Sequence, residues 1–393
     1  MESKLAALKA QAWATIEKLC LRLDELRLAI HSHPELGGQE FFAQDLLSSE
    51  LEKGGFTVER GYCAIPTAFH AVLKGKSDRP AVALLAEYDA LPGIGHACGH
   101  NIIGTASVGA ALALAPLLPH LPGSLHVFGT PAEETNGAKV TLAAAGSFSQ
   151  IDAAMMMHPS GRTVLMAPSL AMDAIEFSFK GRAAHAASAP HEGINALDAV
   201  LITFNAINAL REHVRPDVRI HGIITKGGEA PNVVPEEAVA RFYIRAARRS
   251  YLNQVVEKVI NCARAGALAT GAELSVSNFE YSFDEMRNNS VLAVAMRENL
   301  VALGEEVHTS GEGLGSLDMG NVSQVVPSIH PYIAIGPATL TSHTREFAEA
   351  AGSESGLRGL IVGAKALAAT ALDVLLTPSL LEAAKEEFEN YQG

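Results

Sequence analysis

The sequence predicts an α/β protein in which a mixed-sheet domain, residues 1–170 and 286–393, is interrupted by an inserted α+β domain at 171–285. Three observations carry this reading. The chain has 393 residues, more than the roughly 250–300 that one hydrophobic core accommodates, so two domains are expected. Short, mainly apolar runs at 81–86, 124–129 and 151–157 alternate with helical stretches, as do strands buried on both faces of a sheet. From about residue 171 the order changes to strand 174–180, helix 193–213, strands 218–225 and 238–246, helix 252–270 and strand 273–279. That is the βαββαβ order of a ferredoxin-like unit.

The remaining elements follow from periodicity. Leu5, Leu8, Ala12, Ile16, Leu19, Leu23 and Leu26 recur at three- and four-residue steps, which predicts an amphipathic N-terminal helix. The motif His33-Pro34-Glu35-Leu36-Gly37-Gly38 separates it from a second helix ending near Lys53. Residues 101–132 contain no Asp, Glu, Lys or Arg, long enough to suggest a membrane span. Pro116, Pro119 and Pro122 cut that run, so a buried helix followed by a buried strand is expected, with no membrane association. A long Ala/Leu-rich helix is expected from about Gly352 onward.

The 48% hydrophobic and 19% charged fractions describe an ordinary globular chain and exclude a disordered one. A net charge of −13, from 43 acidic and 30 basic residues, argues against nucleic acid as a partner. Cys20, Cys63, Cys98 and Cys262 lie far apart, in no disulfide-framework spacing. With no signal peptide read at the N-terminus, a reducing cytoplasm is the expected location.

Four segments carry candidate chemistry. In Glu87-Tyr88-Asp89-Ala90-Leu91-Pro92-Gly93-Ile94-Gly95-His96-Ala97-Cys98-Gly99-His100-Asn101, a thiolate and an imidazole two apart can grip one metal ion or bridge two. Alone, the pair also reads as an inert buried cysteine beside a satisfied histidine. Thr130-Pro131-Ala132-Glu133-Glu134 ends an apolar strand with two carboxylates, costly to bury uncompensated. One could coordinate a metal while the other takes a proton from a metal-activated water; a solvated acidic turn is the alternative. His158-Pro159 follows another apolar strand, and Thr341-Ser342-His343 follows the apolar stretch 332–335. Together these segments supply Cys, His, Glu, His and His with a spare Glu, an inventory suited to two neighbouring divalent ions.

These residues resemble the M20 metallopeptidases and amidohydrolases, in the branch with a cysteine at the metal centre. That branch includes aminoacylase-, hippurate-hydrolase- and aminobenzoyl-glutamate-hydrolase-like enzymes. The wording from Glu87 to Asn101, with Thr-Pro-Ala-Glu-Glu downstream, is most similar to the M20 domain-containing protein 2 subgroup, which includes dipeptidases acting on β-alanyl-lysine-type peptides. The resemblance runs from His33 to His343. It implies a zinc-peptidase-like catalytic domain with an inserted ferredoxin-like lid and dimerisation domain. It makes Cys98, His100, Glu134, His158 and His343 the metal ligands, with Cys98 bridging, and Glu133 the general base. Asp89 falls where the family keeps a carboxylate that orients a ligand. Glu87 stands where many members have a histidine ligand, and His96 reads as structural.

In the inserted domain, His185 within Gly181-Arg182-Ala183-Ala184-His185-Ala186-Ala187 resembles the lid histidine that stabilises the oxyanion from a partner subunit. His191 nearby is as easily structural as functional. Asn232, within Gly227-Gly228-Glu229-Ala230-Pro231-Asn232-Val233-Val234-Pro235, matches a substrate-binding lid motif, although Gly, Pro and Asn are also ordinary turn residues. The stretch 311–320 with Asp318 reads as a flexible loop lining the pocket.

The implied function is cleavage of the amide of a dipeptide or N-acyl amino acid by a metal-activated water. The implied cofactors are two divalent ions per chain, zinc as the better match to thiolate and imidazoles, manganese as the other choice. The expected partners are a small-molecule substrate and a second copy in a homodimer. The alternatives are a hydrolase using Cys98 as nucleophile with His100 or His96 as base, and a catalytically silent metabolite-binding relative.

Overall fold

The structure, a computed structural model, describes residues 2–311 and 315–391. Contacts between Cα atoms divide the chain into two units, Met1–Pro168 with Met286–Gly393, and Ser169–Glu285. The first unit opens with α1 (Glu2–Ser32), α2 (Phe41–Lys53), β1 (Thr57–Arg60), β2 (Phe69–Lys74), β3 (Ala81–Ala86) and α3 (His100–Leu114). It continues with β4 (Ser124–Gly129), α4 (Ala138–Ala144), β5 (Ala153–Met155), β6 (His158–Ser160) and β7 (Val164–Met166). The second unit contains β8 (Ala171–Lys180), α5 (Ala196–Leu210), β9 (Arg219–Lys226), β10 (Glu237–Ala246), α6 (Arg249–Thr270) and β11 (Glu273–Asn278). The chain then returns to the first unit as α7 (Ser290–Ala302), β12 (His308–Ser310), α8 (Met319–Ser323), β13 (Ser328–Ile329) and β14 (Tyr332–Ala334). It ends in α9 (Arg345–Gly352), α10 (Glu354–Leu376) and α11 (Pro378–Glu389).

The main sheet of the first unit has the order β1-β2-β4-β3-β5-β13. Its β3 runs parallel to β4 and β5, while β2 is antiparallel to β1 and β4, so the sheet is mixed. All six residues of β3 are buried, which explains why Ala81-Val82-Ala83-Leu84-Leu85-Ala86 reads as an unbroken apolar run instead of an alternating one. Successive side chains enter opposite cores. Leu84 packs with the cluster that includes Ile102 and Leu372, and Leu85 with the cluster that includes Ile103, Phe128 and Met319. On the first face, α3 packs against α1 and α10, so α3 is apolar on nearly every side. A smaller sheet, β12-β7-β14-β6, completes this unit.

The second unit is a four-stranded sheet of order β11-β8-β10-β9, antiparallel throughout. Numbered within the unit its strands lie 4-1-3-2, the ferredoxin-like arrangement. Phe177, Phe179 and Phe242 pack with Val200, Ile207, Val255 and Val259 of α5 and α6 in one core. Asn195 caps α5, accepting from the backbone N–H groups of Leu197 and Asp198, a standard N-terminal device.

Two details differ from the sequence reading. The run 151–157 is not one strand: β5 ends at Met155, and His158 opens β6 in the other sheet. The terminal helix is two, because Pro378 starts α11 and has no N–H with which to continue α10. By length and composition α10 could cross a membrane, yet most of it is buried inside this unit. Because β3 feeds both cores, Leu84→Ala and Leu85→Ala are each expected to lower the unfolding free energy by about 2–5 kcal/mol. Urea denaturation followed by circular dichroism measures this.

Candidate metal centre

The register of the parallel pair β3–β4 places Ala86 opposite Gly129, so the segments that follow these strands leave the sheet side by side. One carries Glu87 and Asp89, the other Glu133 and Glu134. Asp89 joins them: its Oδ1 lies 2.8 Å from His100 Nδ1, and its Oδ2 accepts the Glu134 N–H at 3.0 Å. A carboxylate on Nδ1 holds the ring so that Nε2 points the other way. That Nε2 is buried without a hydrogen-bond partner. Around it stand Glu87 Oε2 at 3.5 Å, Glu133 Oε2 at 3.9 Å and Glu134 Oε1 at 3.9 Å.

Cys98 and His158 approach from the other side, with Sγ 3.5 Å from Nε2. His158 Nδ1 lies 2.7 Å from the Pro159 carbonyl oxygen, which again leaves Nε2 facing the centre. The glycine between Cys98 and His100 is required twice over: Gly99 has φ 78°, and a Cβ there would lie 2.4 Å from Pro159 Cγ. His343 sits at φ 63° with its N–H donating to the Ala97 carbonyl at 2.8 Å, which sets Nε2 3.3 Å from Glu134 Oε1.

The predicted ligands therefore converge. Cys98, His100 and His158 form one group whose ligand atoms lie within 4.8 Å of one another, and Cys98, Glu134 and His343 form a second. Cys98 is common to both. His100, Glu133 and Glu134 form a third. Thiol, imidazole and carboxylate together suit a divalent transition metal, and His100 Nε2 and Glu87 Oε2, buried without hydrogen-bond partners, are atoms that a bound cation would satisfy. Electrostatics agree. Burial pushes the Cys98 thiol well up, as it does the Glu133 carboxyl, which Glu134 and Glu87 raise further. At His100, burial disfavours charge, yet Asp89 and Cys98 override it and raise the imidazole well above its usual range. Positive charge is favoured here despite desolvation.

Sequence reasoning missed the group beneath this centre. Lys139, on α4, is fully buried, and its Nζ donates to Glu87 Oε1 at 2.6 Å and Asp318 Oδ1 at 2.7 Å. Its backbone N–H donates to Asp318 Oδ2 at 3.2 Å. Asp318, expected in a flexible loop lining the pocket, is an interior residue at the start of α8; residues 312–314 of that stretch lie outside the described residues. The available signal was that Lys139 is the only charged residue in positions 135–151. His96 is also buried, its Nε2 3.1 Å from the Ile30 carbonyl oxygen.

In the second unit, His185 and Asn232 lie on adjacent paired segments. Val233 bridges His185, and the Asn232 carbonyl accepts the Ala186 N–H at 3.0 Å. Asn232, His191 and His185 are all exposed. His185 Nδ1 accepts from the N–H groups of Ala187 and Ser188 at 3.2 and 3.3 Å, which makes Nε2 the donor nitrogen of the neutral ring.

Residues 172–270 match the family model of the M20 peptidase dimerisation domain. The chain is 39% identical to the Xaa-Arg dipeptidase of Mus musculus, over 98% of this chain and 93% of that protein. It is 29% identical to one of the subunits of p-aminobenzoyl-glutamate hydrolase from Escherichia coli K12, over 94% and 92% respectively. A Bacillus subtilis crystal structure described as a dinuclear metal binding peptidase from the M20 family shares the fold, with a TM-score of 0.68 at 23% identity, covering 92% of this chain and 99% of that one. Fold, site and relatives together define a hydrolase of peptide or other amide bonds. The chain belongs to the M20 peptidase family.

Removing the buried ammonium would leave Glu87 and Asp318 as uncompensated interior charges. Lys139→Met is therefore expected to cost about 3–5 kcal/mol of stability, read as a lower denaturation midpoint, whereas Lys385→Met at the half-exposed surface should cost far less.

Proposed function

We propose that the chain is a metal-dependent dipeptidase and amidohydrolase, with two divalent ions held by Cys98, His100, Glu134, His158 and His343. The observation that carries this reading is the sharing of Cys98 between two donor groups, the arrangement expected of a bridging thiolate. Zinc matches the thiolate and imidazoles better than manganese does. Divalent ions at these donors supply the positive charge that acidifies a water and polarises the scissile carbonyl.

The chain's own residues do the rest. Asp89 orients His100 through Nδ1 and steadies the Glu134 backbone. Glu133 takes a proton from the attacking water and delivers it to the departing amine nitrogen. Its raised affinity for a proton, from burial beside Glu134 and Glu87, suits a group that must hold one between the two steps. His185 supplies an Nε2–H donor for the carbonyl oxygen as charge develops there, in a homodimer from a partner subunit, with Asn232 beside it binding the substrate. Support for the dimer is the matched dimerisation-domain model and the edge strand β9, on which Ile223 is 65% exposed. Relatives that cleave Xaa-Arg dipeptides make a dipeptide the first substrate class to try, with N-acyl amino acids second. Four free cysteines suit a reducing cytoplasm.

A Cys98 nucleophile has less support. Burial raises its thiol, the opposite of an activated cysteine, and His96 is engaged with Ile30.

The test joins metal analysis by mass spectrometry to hydrolysis of a panel of Xaa-Arg dipeptides and N-acyl amino acids. Wild type is expected to carry two divalent ions and to lose activity to a chelator, with recovery on adding zinc or manganese. Glu133→Gln is expected to keep its metal and lose about 10²–10⁴-fold in kcat. Full activity after metal removal would overturn the proposal.

A further inference from the structure

The motif His33-Pro34-Glu35-Leu36-Gly37-Gly38 takes no part in the chemistry above, yet its segment lies against both loops that carry that chemistry. One residue past Asp89, Ala90 donates its N–H to the Glu35 carbonyl at 2.8 Å, and Leu36 pairs with Ala90 in a parallel bridge. The Glu35 carboxylate accepts the N–H groups of Phe42 and Ala43 at 2.9 and 3.0 Å, so it fastens the first turn of α2 and with it the preceding residue, Glu40. Glu40 is completely buried, and its Oε1 accepts the Ala132 N–H at 2.7 Å.

Ala132 is the residue before Glu133, and it stands at φ 61°, a conformation that residues with a Cβ seldom adopt and that the surroundings must impose. Gly37 makes room for the contact: a Cβ there would lie 2.5 Å from Thr135 Oγ1 and 3.1 Å from Ala132 Cα. On the far side of Glu133, Asp89 Oδ2 holds the Glu134 N–H. The amides before and after Glu133 are thus each gripped by a buried carboxylate, one from either flank of the site.

We propose that Glu40 is a positioning residue for Glu133: by holding the Ala132 amide, it maintains the left-handed turn that aims the Glu133 carboxylate into the metal centre. The proposal rests on the reading of Glu133 as general base. It accounts for the motif as a unit, with Glu35 fastening Glu40, Gly37 permitting the approach and Glu40 gripping the turn. Glu40 touches neither substrate nor metal in this scheme; it acts only through the geometry of Glu133.

The experiment uses the metal-loaded full chain and compares Glu40→Gln, Glu40→Met and Glu40→Asp, each alone and in a Glu133→Gln background. Steady-state kinetics on a dipeptide cleaved by wild type are read beside metal content. Glu40→Gln keeps an acceptor oxygen and is expected to stay within about threefold of the wild-type kcat. Glu40→Met fills the same space without an acceptor and is expected to lose about 10²-fold in kcat, as a misaimed group does. Its KM and metal content are expected to stay unchanged. If Glu40→Met does not fold, Glu40→Asp withdraws the acceptor by one methylene and should lower kcat in the same direction. In the Glu133→Gln background neither change should cost anything further, because there is no base left to aim. Wild-type kcat in Glu40→Met or in folded Glu40→Asp, a loss of metal in step with activity, or an undiminished further loss in the Glu133→Gln background would overturn the proposal. Wild-type activity in Glu133→Gln alone would instead overturn the base assignment, and the Glu40 role with it.

Discussion

Buried negative charge is the constraint around which the first unit is organised. Glu87, Asp89 and Asp318 are buried with the half-buried Glu133 and Glu134 beside them, and among the described residues Lys139 is the only buried lysine. An isolated carboxylate in such surroundings is too costly to keep ionised. Lys139 neutralises Glu87 and Asp318 from below, and His100 and His343 approach the remaining acids from above. What is left is a cluster of donors in which acidic groups outnumber the cations the chain supplies, surroundings that favour a cation.

The scaffold keeps this arrangement rigid. Parallel pairing of β3 with β4 delivers two acidic loops to the same sheet edge, where open α/β sheets collect their functional loops. The crossing from β5 to β6 turns His158 back over Cys98, and the backbone bond from His343 to Ala97 brings in a donor side chain from more than two hundred residues away. The buried grips of Asp89 on His100 and Glu134, and of Glu40 on Ala132, replace the freedom of loops with fixed directions. Precision of this kind is what catalysis by positioned groups needs.

Much of this was legible in advance. The run at 81–86 is a strand because burial on both faces selects unbroken apolar sequence, and the periodic leucines of α1 mark its buried face in the same way. The donors were legible because thiol, imidazole and paired carboxylates at strand ends have few other uses in combination. Lys139 and Glu40 were not. A lysine in an apolar helix and a glutamate before a helix look ordinary until their partners are known, and those partners lie 179 and 92 residues distant. The break at Thr377-Pro378 shows in the sequence only as a proline, because composition on both sides remains helical.

The sequence by itself determined the chemical inventory, the ferredoxin-like order of the inserted unit and the family to which the chain belongs. These depend on residue type and local spacing, which a linear chain displays. Only the tertiary structure decided that Cys98 is shared by two donor groups, that Lys139 takes the charge of Glu87, and that the N-terminal motif grips the turn before Glu133. Each of these depends on which side chains remain close once the cores on either face of β3 have closed, and short-range hydrogen bonds and ion pairs are set by that distance alone.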